Sequence, residues 1–184
     1  MDIVLFGMQG SGKWTQAKKI LSAVPDQFVY FEPGSLFRAL SSCNNVLGEY
    51  VGSVIDQWKP VHDGVTISLF DATLYTLQRG QHLLIDGFPR KVMQYHLFME
   101  RMQKGQRDFL VINFNIDEKT ATERMLARGR HDDTPEKIAN RIQWYNKDIL
   151  PILESMRTLV QVHDIDATQT PDEVTAQILP LLSA

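Results

Sequence analysis

The sequence predicts a three-layer α/β/α fold, with a five-stranded parallel sheet between two layers of helices. Short apolar runs rich in strand-forming residues alternate along the chain with segments whose apolar residues have helical spacing. The first run, residues 2–6, leads into a glycine-rich loop that ends where a helix begins. A length of 184 residues, with 43% hydrophobic and 22% charged residues, suits one soluble domain of this class.

Strands are predicted from apolar runs at residues 2–6, 28–31, 82–86, 109–116 and 159–165. Helices are predicted from apolar spacing and capping residues at 16–21, 35–42, 46–58, 65–78, 92–103, 118–128, 138–156 and 171–182. The helix at 138–156 is expected to bend near Pro151, because proline removes a backbone hydrogen bond. Ligands of such sheets bind at the carboxyl ends of the strands, where the glycine loop, Gly34 with Arg38, and residues 86–90 are predicted to meet.

The glycine loop, residues 7–15, has the properties of a phosphate-binding site. Its pattern, Gly-x-x-x-x-Gly-Lys, fits the Walker A motif. Such a loop aims backbone N–H groups at phosphate oxygens, and the helix that follows adds partial positive charge. Lys13 can reach the terminal phosphates. One residue departs from the motif, because Trp14 stands where Ser or Thr normally follows the lysine to hold Mg²⁺, and Thr15 comes next.

Composition and charge exclude several other classes. The net charge of −3 argues against nonspecific binding of nucleic acid. Cys43 is the only cysteine, so no intrachain disulfide and no cysteine-rich zinc site is expected. The first residues lack the features of a signal peptide, and no apolar run approaches the length of a membrane span. We therefore expect a cytoplasmic monomer without nucleic-acid or membrane partners.

Several motifs together make the chain similar to adenylate kinase over nearly its whole length. They are Gly7-x-x-Gly-x-Gly-Lys-x-Thr-Gln, Gly34-x-x-x-Arg38-Ala39, Asp86-Gly87-Phe88-Pro89-Arg90 followed by Gln94, residues 123–130 followed by Arg141, and residues 164–168. The resemblance implies the reaction ATP + AMP ⇌ 2 ADP with Mg²⁺. It also implies a single domain over 1–184, with a core of 1–31, 64–128 and 135–184, an acceptor-binding region at 32–63, and a short lid at 129–134 without structural zinc.

The resemblance further implies roles for individual residues, and arginine suits them because its planar guanidinium stays charged and binds phosphate oxygens in pairs. The catalytic set would be Lys13, Asp86, Arg90, Arg130 and Arg141. The ATP site would contain Gly10, Ser11, Gly12, Lys13, Trp14, Thr15, Arg124, Arg128 and Gln169. The AMP site would contain Pro33, Gly34, Arg38, Lys59, Val61, Gly87, Arg90, Gln94, Arg130 and Arg141. Asp86 would hold Mg²⁺ through water, with no direct protein ligand.

Some of these residues also have ordinary structural explanations. Arg124 and Arg128 are four residues apart and could form a solvated helix face. Arg141 could pair with Asp148 or Glu136. Asp132 and Asp133 are expected to pair with arginines in the closed lid and not to bind metal.

The chain departs from the family pattern in the glycine loop and in two further stretches, where Glu32-Pro33-Gly34-Ser35 stands for Ser-Thr-Gly-Asp and Trp58-Lys59-Pro60-Val61 for Gly-Lys-Leu-Val. Trp14 and Trp58 replace family glycines, Pro33 lacks the threonine hydroxyl expected near AMP, and Ser35 lacks the carboxylate expected near Mg²⁺. We predict that Trp14 impairs activity. One hypothesis for the paired tryptophans is a UGA codon, which some genetic codes read as Trp and at least one other as Gly. The gene sequence would test it.

Two alternative functions follow from the same residues. A UMP/CMP kinase shares the fold and most of the arginines, although it usually has Asn at the position of Gln94. A nucleotide-binding module with little turnover would result if Trp14 blocked productive binding of the phosphates.

Overall fold

Five apolar segments form the parallel sheet in the computed structural model, which describes residues 1–57, 59–129 and 133–183. The strands are β1 (Asp2–Gly7), β2 (Phe28–Phe31), β3 (His82–Asp86), β4 (Phe109–Asn115) and β5 (Val162–Asp166). Their order is β2-β3-β1-β4-β5, and each neighbouring pair is parallel. The predicted fold class is confirmed. Trp58, Arg130 and Asp132 lie outside the described residues, as does the centre of the predicted lid at 129–134.

Helices connect the strands and cover both faces of the sheet. They are α1 (Lys13–Ala23), α2 (Pro33–Ser41), α3 (Val46–Asp56), α4 (Asp63–Thr76), α5 (Val92–Lys104), α6 (Glu118–Arg128), α7 (Pro135–Trp144), α8 (Leu150–Arg157) and α9 (Pro171–Ile178). A short 3-10 helix, Leu179–Ser183, follows α9. In this described part of the chain, every helix is too short or too polar to cross a membrane.

Successive residues of the buried strands point to opposite faces, so the sheet carries one hydrophobic cluster on each side. On one face, Val4 and Phe6 of β1 pack with residues of α4, α5 and α8. On the other, Ile3 and Leu5 pack with residues of α1, α6 and α9. The first cluster is rich in aromatic rings, whose centroids lie 4.9–6.0 Å apart: Phe31, Phe70, Phe88 and Phe98.

The predicted long helix at 138–156 is helical over its whole length, but it is not one regular α-helix. A π-helical turn, Tyr145–Ile149, separates α7 from α8, and the Leu150 N–H donates to the carbonyl of Tyr145, five residues earlier. Pro151 has no N–H, and its ring would clash with the carbonyl four residues before it in an ideal α-helix. The wider π turn just before the proline provides room for that ring.

The predicted last strand at 159–165 also begins too early. The N–H groups of Leu159 and Val160 both donate to the carbonyl of Met156, each at 2.9 Å, so they still belong to the turn that ends α8. Strand β5 begins only at Val162.

The amino ends of the strands are joined by a buried ion pair. The Asp2 side chain is 1% exposed. Its carboxylate accepts from the Leu83 N–H at 2.8 Å and from Arg107 Nε and Nη2 at 2.7 Å each. These contacts tie β1 and β3 to the loop before β4, at the edge of the sheet opposite the predicted ligand site.

Candidate active site

The glycine loop connects β1 to α1 in a conformation that depends on glycine. Gly7, Gly10 and Gly12 have φ values of 136°, 88° and 89°, which side chains other than glycine rarely adopt. At Gly10 a Cβ atom would also lie 2.8 Å from the carbonyl oxygen of Ala121 in α6. The glycines therefore allow the loop to turn back on itself and to pack directly against α6.

Lys13, the first residue of α1, turns its side chain back into this loop. Its Nζ donates to the carbonyls of Gly7 at 2.6 Å and Met8 at 2.8 Å, and to Ser11 Oγ at 3.3 Å. The residue is 8% exposed. Burial lowers the pKa of Lys13 to about 8, although the nearby Asp86 carboxylate opposes the shift. The loop thus holds a lysine that is still mostly protonated at neutral pH and that titrates well below the ordinary range of lysine.

Asp86 ends β3 directly beside the loop, because the parallel register pairs it with Leu5 of β1. It is 6% exposed, and burial raises the pKa of its carboxyl, while Lys13 and Arg90 act in the opposite direction. Its Oδ2 accepts from the Tyr30 hydroxyl at 3.2 Å. Burial and the Asp86 charge both raise the pKa of Tyr30, so this hydroxyl stays protonated as the donor.

Oxygen atoms of the kind that Mg²⁺ prefers line this cleft. The Asp86 carboxylate and the exposed Thr15 line the same cleft, and Mg²⁺ prefers hard oxygen ligands shared with substrate phosphates and water. Among residues 1–57, 59–129 and 133–183, no cluster of three or more His, Cys, Asp or Glu side chains is placed to hold a metal.

Trp14 lies on the wall of the cleft between the loop and β2. Its ring centroid is 5.7 Å from that of Tyr30, at an interplanar angle of 46°. Lys18 Nζ lies 4.8 Å from the indole centroid, which is within the range of a cation–π contact. The side chain remains half exposed, so the indole lines the cleft without entering the core.

Arg90 occupies a slot between a glycine and an aromatic ring. Gly87 has a φ of 76°, and a Cβ atom there would lie 2.5 Å from Arg90 Nη2. On the other side, the Trp144 ring centroid lies 5.5 Å from Arg90 Cζ. Burial lowers the pKa of Arg90, while the Asp86 and Glu32 carboxylates and Tyr30 oppose that shift. The slot fixes the plane of the guanidinium.

Glu32 at the amino end of α2 and Arg38 in the last turn of the same helix contact each other. Glu32 is the N-cap of this helix, and its Oε2 accepts from the Ser35 N–H at 2.8 Å and from Arg38 Nη2 at 3.3 Å. Arg38 is otherwise solvent-accessible, with 65% of its side chain exposed. Both residues line the cleft across from the glycine loop.

Three other predicted arginines contact the protein itself. Arg124 donates to the carbonyls of Ala167 at 2.7 Å and Thr168 at 3.1 Å, after β5. Arg128 forms two hydrogen bonds with the buried Asp133, at 2.8 and 3.0 Å, and Arg141 Nη1 donates to the same carboxylate at 2.8 Å. Asp133 therefore pairs with arginines, as the sequence suggested.

Gln94 makes internal hydrogen bonds, and it does not line the main cleft. Its Oε1 accepts from the Arg90 N–H at 2.9 Å, and its Nε2 donates to Asp63 Oδ1 at 2.7 Å. The side chain thereby connects α5 with the Arg90 loop and with α4.

Most of the predicted residues lie around one cleft with a volume of about 1640 Å³ at the carboxyl edge of the sheet. Those that line it are Gly10, Ser11, Gly12, Lys13, Trp14, Thr15, Gly34, Arg38, Lys59, Asp86, Arg90, Arg124, Arg128, Arg141 and Gln169. Gly87 lines a small adjoining pocket with Arg90 and Arg141. Pro33, Val61 and Gln94 are buried beside the cleft and do not line it.

The family model for adenylate kinase matches residues 5–160. The chain belongs to the adenylate kinase family. It is 32% identical to an adenylate kinase of Cyanothece sp. over 181 residues, which cover 96% of this chain and 92% of the relative. It is also 32% identical to the adenylate kinases of Corynebacterium urealyticum, covering 97% of both chains, and of Mycobacterium bovis, covering 99% of both.

Membership of the adenylate kinase family makes this chain a nucleoside monophosphate kinase, a phosphotransferase. Enzymes of the family generally use Mg²⁺ with ATP, in agreement with the oxygen atoms that Asp86 and Thr15 bring to the cleft.

Several residues that line this adenylate kinase cleft were not predicted as site residues from the sequence, among them Tyr30, Glu32 and Trp144. Tyr30 and Glu32 lie at the carboxyl end of β2, the edge at which ligands of a parallel sheet bind, so their position was a usable signal. Trp144 lies three residues after Arg141 and hence on the same face of α7. Its contact with Arg90, by contrast, joins positions 54 residues apart, and no local pattern indicates it.

Proposed function

We propose that this chain transfers a phosphoryl group reversibly from ATP to AMP, giving two ADP, within the cleft described above. The observation that supports this best is the arrangement of cations around Asp86. Lys13 and the glycine loop lie on one side, Arg38 and Arg90 face them from the other, and Asp86 interacts electrostatically with both Lys13 and Arg90. Two anionic substrates could therefore meet end to end beside one carboxylate.

The donor half would bind the triphosphate of ATP. The backbone of Gly10 to Thr15 offers N–H groups at the start of α1, and Lys13 would exchange its loop carbonyls for phosphate oxygens. Arg124 and Arg128 line the same end of the cleft, and the backbone near Gln169 would lie beside the donor base. Since phosphoryl transfer depends mainly on positioning and on charge neutralisation, these contacts supply much of what the reaction needs.

The acceptor half would hold AMP. Arg38 and Arg90 would bind its phosphate, with Arg90 already oriented by Gly87 and Trp144. Gly34 and Lys59 line this half. Gln94 would act on the acceptor partly through its hydrogen bond to the Arg90 backbone, and Pro33 and Val61 would shape the wall behind it.

Arg141 and Arg128 would neutralise the negative charge of the phosphoryl group during its transfer. In this structure both pair with Asp133, so incoming phosphates would compete with that carboxylate for their donors. Arg130 is proposed for the same task and lies outside the described residues. Magnesium, held through water by Asp86, would neutralise further negative charge on the phosphates.

Formation of ADP, measured with a coupled assay, tests this proposal. ATP and Mg²⁺ are supplied with AMP, CMP or UMP as acceptor. Preferential use of AMP is the expected result. Preference for CMP or UMP would instead favour the related pyrimidine kinase, whose usual Asn is replaced here by Gln94. ATP binding without ADP formation from any acceptor would favour a nucleotide-binding module. We further expect the enzyme to act as a cytoplasmic monomer, with neither nucleic acid nor a membrane as partner.

A further inference from the structure

A carboxylate already occupies the anion-binding groups of the acceptor half. Glu32 Oε2 accepts from Arg38 Nη2 at 3.3 Å and from the Ser35 N–H in the first turn of α2 at 2.8 Å. A guanidinium and a backbone N–H at a helix amino end are the donors that a phosphate would use. The Glu32 side chain is only 22% exposed, so it lies folded onto the helix.

The local backbone allows this folded position. Gly34 follows Glu32 by two residues, and a Cβ atom at Gly34 would overlap Glu32 Oε1. The absence of that Cβ lets the carboxylate lie against the first turn, where the aligned peptide dipoles favour negative charge. The first helical residue, Pro33, needs no hydrogen-bond acceptor because it has no N–H.

The negative charge of Glu32 changes the pKa values of two groups at the centre of the cleft, Asp86 and Arg90. Burial raises the pKa of the Asp86 carboxyl, and the negative charge of Glu32 raises it further. The same charge raises the pKa of Arg90, against the effect of burial. A phosphate placed between Arg38 and Arg90 would therefore approach the negative charge of Glu32.

We propose that the Glu32 carboxylate is an internal competitor of the acceptor phosphate, which must displace it from Arg38 in order to bind. This inference rests on the proposed role of Arg38 in holding AMP. Glu32 would thereby lower the affinity of the acceptor site selectively, leaving the donor site unchanged, and would raise the AMP concentration at which the enzyme works. It is a residue that sets acceptor affinity and takes no part in the transfer itself.

Two substitutions separate charge from shape at this position. Glu32→Gln keeps the size of the side chain and an oxygen that can cap α2. Glu32→Ser gives a good N-cap without charge, because a serine hydroxyl reaches the same N–H groups. Glu100→Gln is the matched control, since Glu100 also pairs with basic side chains, Arg101 and Lys104, but lies on α5 away from the cleft.

Steady-state ADP formation and calorimetric titration with AMP measure the effect. Both Glu32 variants should lower the KM and the Kd for AMP by about three- to fivefold, the scale of an exposed ion pair. The KM for ATP should stay within about twofold, and Glu100→Gln should change neither constant. The gain in AMP affinity of the Glu32 variants should be smaller at high salt, because the competition between Glu32 and the phosphate is electrostatic.

Unchanged or weaker AMP binding in Glu32→Gln would overturn the inference, and so would a raised Mg²⁺ requirement, which would indicate that the carboxylate helps to hold the metal. The proposed function is judged separately, by ADP formation in the wild type. AMP binding that improves in the variants would support the inference even in a wild type without turnover. Failure of wild type and variants alike to bind AMP would refute both proposals.

Discussion

Lys13 carries a charge that ligand binding should change. Its pKa is lowered to about 8 by burial, so part of the population is neutral above that pH. A bound triphosphate favours the protonated form and raises the pKa again. ATP binding should therefore take up a proton at about pH 8.5, and affinity should fall as the pH rises above about 8.

Calorimetry in buffers of different ionisation enthalpy measures this proton uptake. Lys13→Arg is the informative variant, because arginine stays charged throughout this pH range and should bind ATP without proton uptake. Equal uptake in wild type and in Lys13→Arg would place the titrating group elsewhere.

Trp14 should limit the rate of phosphoryl transfer. Its indole packs against Tyr30, whose hydroxyl binds Asp86, so the ring narrows the region where Mg²⁺ and the phosphoryl group would lie. A misplacement of about 1 Å can cost on the order of a hundredfold in rate. We expect Trp14→Gly to raise kcat by about tenfold, with a smaller change in the KM for ATP.

Trp14→Phe provides the control for this effect, because it keeps an aromatic ring against Tyr30 and should recover only part of the rate. If kcat is the same in Trp14→Gly and in the wild type, the indole lies clear of the reacting groups and does not impair the enzyme.

At the scale of elements, α7 brings together arginines that we propose to bind phosphate. Its last turn carries Arg141 and Trp144, and the Trp144 ring covers Arg90 at 5.5 Å. A cation–π contact of this kind contributes about 0.5–2 kcal/mol. Trp144→Leu should therefore raise the KM for AMP by about three- to tenfold and leave the KM for ATP nearly unchanged.

Trp144→Phe should retain most of the AMP affinity, since the smaller ring still offers a π face to Arg90. Equal losses for AMP and ATP in Trp144→Leu would point to a general disturbance of α7, against a specific role in orienting Arg90.

Helices α2 and α3, which lie in the proposed acceptor-binding region, should become more protected from hydrogen exchange when both substrate sites are filled. Closing over the nucleotides would exclude water and strengthen the arginine–phosphate contacts. Hydrogen exchange with and without a bisubstrate dinucleotide measures this directly. We expect slower exchange in α2 and α3 as well as in the glycine loop, and protection confined to the loop would contradict closure.

At the scale of the whole molecule, a buried ion pair that should stabilise the fold and the candidate active site lie at opposite edges of the sheet. The buried Asp2–Arg107 pair lies at the amino edge, far along β1 from the glycine loop. Asp2→Ala should lower the free energy of unfolding by about 2–3 kcal/mol, because it leaves a partly buried cation and the Leu83 N–H without their acceptor.

Urea denaturation measures this loss, and the KM for ATP and AMP should be unchanged in the folded variant. Asp172→Ala removes an exposed pair with Lys19 and should scarcely change the unfolding midpoint. A large loss of stability in both variants would mean that the effect does not depend on the burial of the Asp2–Arg107 pair at the amino edge of the sheet.

The architecture could be predicted from the sequence because its determinants are local. The glycine loop, the strand ending in Asp86 and the alternation of apolar segments are all visible within about ten residues. An irregularity near Pro151 was predicted for the same reason, because proline is a local signal. Its form, a π turn, was not, since the lost hydrogen bond does not specify how the backbone compensates.

Side-chain partners within the site could not be predicted in the same way. The Gln94 side chain points inward because it donates to Asp63, a residue 31 positions away. The Glu32 side chain can fold back onto the helix because Gly34 has no Cβ atom in its way. Such contacts depend on the direction in which each side chain leaves its element and on what packs opposite, which a single sequence leaves open.

The placement of aromatic residues also has an optical consequence. The buried core rings are phenylalanines and tyrosines, whereas Trp14 and Trp144 line the cleft. Trp144 also packs against the edge of the core, and Trp58 lies outside the described residues. Intrinsic emission excited in the indole band will therefore respond first to whatever enters the cleft. A nucleotide titration can be read without any label, while loss of the folded core is better followed by far-ultraviolet circular dichroism.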